Sequence, residues 1–272
     1  MMERENSGPL VQSVVRAFDI LKLFSPERPS LGVSEVAALA KLNRTTAHRL
    51  ITTLKQCGVL IQNPSTSKYS LSAQLLQFSN MFMQTNDLRA IALGPMTVVR
   101  DTSGETCGLH VREGTNRIII AQVESRQALR LTYPNLGELV PLHVGAPGKA
   151  MLAFFDPAEI DDYVASISLA QDRMTPYSVT DSGQLRQELE KIREQGFAIS
   201  QQERRLGVMS IAAPVFDKQG HPIASINISG PIQRLGNQDI DPLVSVVVSS
   251  ANEVIRMLTY IDPVDLIPPK LD

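Results

Sequence analysis

Tryptophan is absent from this 272-residue sequence, aromatic residues make up only 5% of it, and it holds just two cysteines and four histidines. Cys57 and Cys107 cannot build a disulfide framework or a four-ligand zinc site. The histidines are scattered, with no metal-ligand spacing, so no metal or cofactor is expected. No run approaches eighteen apolar residues, and the opening MMERENSGPL lacks the apolar segment of a secretory signal. Secretion and membrane spanning are therefore not expected, and a cytoplasmic location is. Strong charge of either sign is also missing: 26 Lys+Arg stand against 28 Asp+Glu, a net charge of −2. Taken whole, that balance does not suggest a nucleic-acid binder. Apolar residues are plentiful at 43%, enough to bury a core and to exclude wholesale disorder. The length fits one large domain or two ordinary ones.

The average conceals a division. Residues 1–70 carry nine bases and five acids, net +4, which leaves net −6 for the remainder. The basic segment suits a polyanionic partner. Within it, Val11, Val14, Val15, Phe18 and Leu21 recur at helical spacing, with Ser13 as a possible cap. A second short helix is expected after Ser34, turning Val36, Leu39 and Ala40 inward. After the short link 41–43, Asn43 can cap a third helix over 44–56 that buries Ala47, Leu50, Ile51 and Leu54. Its other face then shows Arg44, Thr45, His48, Arg49, Thr52 and Lys55, and Gly58 supplies the stop. The runs 59–61 and 69–71 read as a hairpin around 63–66, with Lys68 near the tip.

Three helices and a hairpin, with a short turn before the third helix, suit insertion of that helix into a DNA major groove. Arginines can bond guanine edges or phosphates, and Thr45 and Thr46 offer hydroxyl and methyl groups. The alternatives are a winged-helix module that docks on protein, or a small-molecule enzyme with a nucleic-acid-binding appendage.

The stretch VQSVVRAFDILKLF, followed by LGVSEVAALAKLNRTTAHRLITTLKQCGVLIQNPSTSKYSLSAQLL, resembles the IclR family of bacterial transcription regulators. In the same order as in that family come SGETCGLHVREG, GELVPLHVGAPGKAMLAF, REQGFAISQQERRLGVMSIAAPVFD and INISGPIQR. The resemblance covers roughly residues 10–262. It implies an α+β chain: a winged helix-turn-helix DNA-binding domain over 1–71, a linker helix over 72–87, a GAF-like effector-binding domain over 88–262 and a tail over 263–272. Arg16, Arg44, Thr46 and Arg49 match the family's DNA contacts. Thr45, His48 and Lys68 join them from the pattern of the helix and wing. Lys41 stands where the family usually has glycine, and a positive φ there costs about 1 kcal/mol. The resemblance also implies double-stranded operator DNA as a partner, and a homodimer or a tetramer built as a dimer of dimers. In segment 72–87 the only charge is Asp87, so considerable burial is expected there, either against the chain itself or against a second subunit.

In the larger domain the patterns predict helices over 88–102, 182–195 and 243–260, with a further one opening at 145–148 and running to 154. They predict strands over 107–112, 117–123, 139–144, 197–200, 208–216 and 222–229. HVGAPGKA looks like a P-loop at first sight, but His143 replaces the first glycine and Ala150 the magnesium-binding hydroxyl. Cys107 and His110 fall on opposite faces of a strand, so they form no local catalytic pair. No catalytic constellation is left, and a regulator rather than an enzyme is expected. The resemblance implies an effector pocket at Ala146, Pro147, Ser200, Val208, Ser210, Asn227 and Ser229. Those groups are neutral, so a small polar organic ligand is expected. It is read as a carboxylate held by backbone N–H groups at 145–148. Some family members carry an acid at the position of Ser200, so ligand identity does not carry over.

Overall fold

In a computed structural model, residues 10–133 and 136–260 are described, and they divide into two units that meet between Thr85 and Asn86. The expected tail over 263–272 lies outside the described residues. The first unit holds α1 (Gln12–Leu21), α2 (Val33–Leu39), α3 (Arg44–Gln56), the hairpin of β1 (Leu60–Gln62) and β2 (Tyr69–Leu71), and α4 (Leu75–Thr85). Its core joins Ile20 of α1, Val36 and Ala37 of α2, Ala47, Ile51 and Leu54 of α3, and Leu60 and Tyr69 of the hairpin. Asn43 caps α3, its Oδ1 accepting the Thr46 N–H at 2.8 Å, as the sequence predicts. Lys41 indeed has φ 53°, and Gly58 stops α3 at φ 77°.

Three expectations fail in this unit. Ser34 lies inside α2, which is capped from Gly32: the Gly32 N–H donates to the Glu35 carboxylate at 2.6 Å. Helix α2 turns Val36 and Ala37 inward and leaves Leu39 exposed. The predicted apolar face of α1 is not its buried face. Val11, Val14 and Phe18 are exposed, while Ile20 is fully buried with Ala17 and Leu21 beside it. Of the two places open for the burial expected of segment 72–87, the chain itself does not supply it: α4 buries no side chain within the chain, and Leu76, Phe78, Met81 and Phe82 all stand exposed. Apolar periodicity finds a helix's sticky face, but which face is covered depends on the neighbours that pack there.

The second unit is built on a six-stranded antiparallel sheet. Its strands are β3 (Thr106–Glu113), β4 (Asn116–Val123), β5 (Leu139–Pro141), β6 (Ala198–Gln201), β7 (Val208–Phe216) and β8 (Pro222–Pro231), arranged β5-β4-β3-β8-β7-β6. Two helices, α5 (Asp87–Ser103) and α10 (Ile240–Tyr260), cover one face. There Cys107 and Leu109, Met209 and Ile211, and Ile226 and Ile228 pack with Met96, Val99, Val247 and Val254. The alternate residues Gly108, His110, Ser210, Asn227 and Ser229 point the other way. On that side lie α6 (Ala146–Leu152) and a second core shared with α7 (Pro157–Ser166) and α8 (Ser182–Gln195). Helix α8 matches its predicted bounds, capped by Asp181 and ended by Gly196 in the left-handed region. The predicted strand over 139–144 shortens to β5, because the chain turns at 142–144 to enter α6. Helices α7 and the short α9 (Ile232–Leu235) were not anticipated.

Candidate DNA-reading helix and effector pocket

Helix α3 separates its two faces cleanly. Arg44, Thr45, His48 and Arg49 are exposed, and Thr46, whose N–H serves the Asn43 cap, is half-buried. Arg16 is exposed on α1. Lys68 is held in the hairpin by Glu35 at 3.1 Å, the same carboxylate that caps α2. The hairpin tip is ordered by Asn63, whose Oδ1 accepts the Ser65 and Thr66 N–H groups. Lys55 reaches Gln62 at 2.9 Å and ties the end of α3 to the first strand of the wing.

In the second unit a cavity of about 30 Å³ opens beside the inner face of the sheet. Five of the sequence-predicted residues line it: Pro147, Ser200, Val208, Ser210 and Ser229. Ala146 is packed instead into the core with Leu142 and Ala150. Asn227 is fully buried behind the serines. Its Nδ2 donates within a group formed by Tyr133 Oη (3.0 Å), Ser210 Oγ (3.0 Å) and Ser229 Oγ (2.8 Å). Tyr133 Oη donates to Ser229 Oγ, Ser229 to Ser210, and Ser210 to the Ile228 carbonyl. These hydroxyls therefore largely satisfy one another and the backbone.

The expectation of a neutral pocket fails. Arg117 from β4 and Arg204 and Arg205 from the turn after β6 also line the cavity. A charged residue inside the apolar run NRIIIAQV, and the Arg-Arg pair before β7, were the available signals. Arg117 NH1 donates to His110 Nδ1 at 2.8 Å, and His110 Nε2 meets Asn227 Oδ1 at 3.0 Å. An arginine has no acceptor, so His110 must be the neutral tautomer with its proton on Nε2. Burial first, then the charges of Arg117 and Arg204, hold its pKa well below the ordinary value. Gly108 lets this network close, because a Cβ there would lie 2.7 Å from Asn227 Oδ1.

The predicted anion seat at the start of α6 is filled from within. The Gly145 N–H donates to Glu203 Oε2 at 3.0 Å, and Lys149 Nζ binds Glu203 at 2.6 Å and Glu188 at 2.7 Å. Burial raises the Glu203 pKa, against the pull of Lys149 and of the Gly145 N–H. Lys149, the residue that gave the loop its P-loop look, is thus a buried counter-ion. Cys107 lies in the core, and burial pushes its thiol up, away from thiolate chemistry.

Residues 13–64 match the family model "IclR helix-turn-helix domain", and residues 81–256 match "Bacterial transcriptional regulator IclR C-terminal". The chain belongs to the IclR family. It is similar to the glycerol operon regulatory protein of Streptomyces griseus, 32% identical over 83% of this chain and 87% of that protein. It is also similar to an IclR transcriptional regulator from Alicyclobacillus acidocaldarius of known structure. That likeness covers 92% of this chain and all of the other, at 25% identity and TM-score 0.79. A Microbacterium hydrocarbonoxydans IclR homologue, solved with 4-hydroxybenzoate, shares the fold at 22% identity and TM-score 0.72, covering 91% of this chain and 99% of that one. As an IclR-family transcriptional regulator, this chain pairs a helix-turn-helix DNA-binding domain with a C-terminal effector-binding domain. No described helix is long and apolar enough to cross a membrane.

Proposed function

We propose that α3 reads operator DNA, with Arg44, Thr45, His48 and Arg49 toward the major groove and Arg16, Thr46 and Lys68 supporting the docking. The observation that carries this reading is the exposure of those α3 side chains opposite a face that supplies the unit's core. The cavity between the sheet and α6 receives a small organic effector, with Pro147, Ser200, Val208, Ser210 and Ser229 at its wall and Ala146 and Asn227 behind them. The chain acts in the cytoplasm, as a homodimer or a dimer of dimers. The exposed apolar side chains of α1 and α4 support self-association. It carries no catalysis of its own: the buried thiol and the internally paired Lys149, Glu188 and Glu203 support that reading.

An effector shifts DNA affinity only by binding two arrangements of the assembly unequally. Changed spacing of paired recognition helices against operator half-sites is the readout this fold offers. The test begins with DNA selection by the full-length chain, followed by titration of the selected fragment at several salt concentrations. Arg49→Ala should weaken specific binding by roughly 1–3 kcal/mol with unfolding unchanged. Unaltered affinity for the selected fragment would remove Arg49 from the readout, and failure to select any sequence would remove α3 with it.

A further inference from the structure

Among the described basic side chains of the first unit, Lys68 alone has a carboxylate within ion-pair distance. Arg16, Arg44 and Arg49 stand exposed, and Lys55 meets only the neutral Gln62. The partner of Lys68 is Glu35, near the start of α2. Its two carboxylate oxygens receive Lys68 Nζ at 3.1 and 3.2 Å, and Oε2 also accepts the Gly32 N–H at 2.6 Å. The Gly32 N–H first, and then Lys68, hold the Glu35 carboxyl below its ordinary pKa, so it is ionised at neutral pH.

Neither the cap nor the hairpin needs that charge. A cap of this kind takes glutamine as well as glutamate, because the N–H requires an acceptor rather than an anion. The hairpin is fastened by backbone bonds to the segment before α2: the Leu31 N–H donates to the Tyr69 carbonyl and the Tyr69 N–H to the Leu31 carbonyl, both at 2.9 Å. Tyr69 itself is buried in the unit's core. The ion pair is close to half exposed on both sides, 42% for Lys68 and 48% for Glu35, and such a pair adds little to stability. What the Glu35 charge does accomplish is to cancel Lys68.

A duplex seated on α3 carries phosphates past the wing, which Lys55 and Gln62 tie to the end of that helix. Lys68 with its counter-ion attached brings no net charge to those phosphates, and the Glu35 carboxylate repels them. The remaining N–H groups of Lys68 can still orient a phosphate, so the wing guides docking without adding to counterion release.

Resting on the α3 reading above, we infer that Glu35 sets the DNA affinity of this regulator: its carboxylate keeps Lys68 neutralised and withholds one phosphate contact's worth of electrostatic binding.

The test titrates the full-length chain with the selected fragment and with a duplex of scrambled sequence, over a series of salt concentrations. Glu35→Gln keeps an acceptor for Gly32 and removes the charge. It should tighten binding to both duplexes about 3–10-fold at low salt and steepen the dependence of log K on log salt by about one. Lys68→Gln, which leaves Glu35 unpaired, should weaken both. The double variant, Glu35→Gln with Lys68→Gln, regains the wild-type net charge and should return affinity and salt slope to within about twofold of the wild type. A purely structural clasp gives a different pattern, in which both single variants and the double weaken binding alike with the slope unchanged. That pattern would overturn the inference, and so would a Glu35→Gln chain that binds no more tightly than the wild type. Loss of the fold in Glu35→Gln, read by urea denaturation, would overturn it too, because the charge would then belong to stability. Failure to select any sequence would remove the α3 readout and leave the scrambled duplex to report on Glu35.

Discussion

The two units handle charge in opposite ways. Among the described residues every buried polar or charged side chain lies at Ser103 or beyond, so the first unit buries none. Its arginines stand in solvent on α3 and α1, around a small core of aliphatic residues and Tyr69. The second unit buries Arg117 and Glu203 at its cavity, bonded to the buried His110 and Lys149, and buries Glu105 against Arg234. A DNA backbone is a long polyanion met in water, where exposed, mobile cations suffice. A small ligand offers few contacts, so its site must concentrate charge in a desolvated place. Opposite burial of charge is thus what two different partners require.

The largest test of this contrast is Lys149. Replacing it with methionine leaves the Glu203 carboxylate buried and should destabilise the second unit by about 3–5 kcal/mol in urea denaturation. Adding Glu203→Gln should recover most of that loss. A change below about 1 kcal/mol in the single variant would mean that the buried ions do not hold this unit together.

Acid is the next. His110 and His143 both titrate below the ordinary histidine value, His143 at about 4, with burial the leading cause for each. Unfolded chains take up those protons near pH 6.5 while the native state does not. Their contribution is therefore full above about pH 6.5 and is lost as pH falls. A loss of roughly 2 kcal/mol per histidine, about 4 kcal/mol for the two, is expected between pH 7 and pH 5. Glu203, raised in pKa, works the other way and offsets part of it. Stability that holds or rises over that range would show that the buried histidines do not govern the acid response.

The smallest effect belongs to the first unit, where the local strain lies in the backbone. Lys41 sits at φ 53°, and Lys41→Gly should raise the hydrogen-exchange protection of α3 amides in the full chain by roughly 0.5–1 kcal/mol. No gain would mean that local contacts of the lysine already offset its strained turn.

Much of the fold was legible because its signals are local. Asn43 before an amphipathic run marked α3, and the apolar period of Leu185, Leu189 and Ile192 marked α8. Alternation placed Asn227 and Ser229 on one side of β8 and kept Cys107 apart from His110. The family pattern named five residues that line the cavity, but not the arginines beside them. Arg117, Arg204 and Arg205 come from β4 and from the turn between β6 and β7, far apart along the chain. The 145–148 loop looked like an anion seat because the partner that fills it, Glu203, lies 58 residues from Gly145.

The sequence by itself determined the two-part plan, the reading helix with its cap, and the division between a basic head and an acidic body. These follow from short-range periodicity, capping chemistry and charge counting, all of which are properties of contiguous residues. Only the tertiary structure decided which faces of α1 and α2 are covered, what occupies the start of α6 and how much positive charge surrounds the cavity. Those depend on which distant side chains share a desolvated volume, and electrostatic energy there is set by distance and burial rather than by order along the chain.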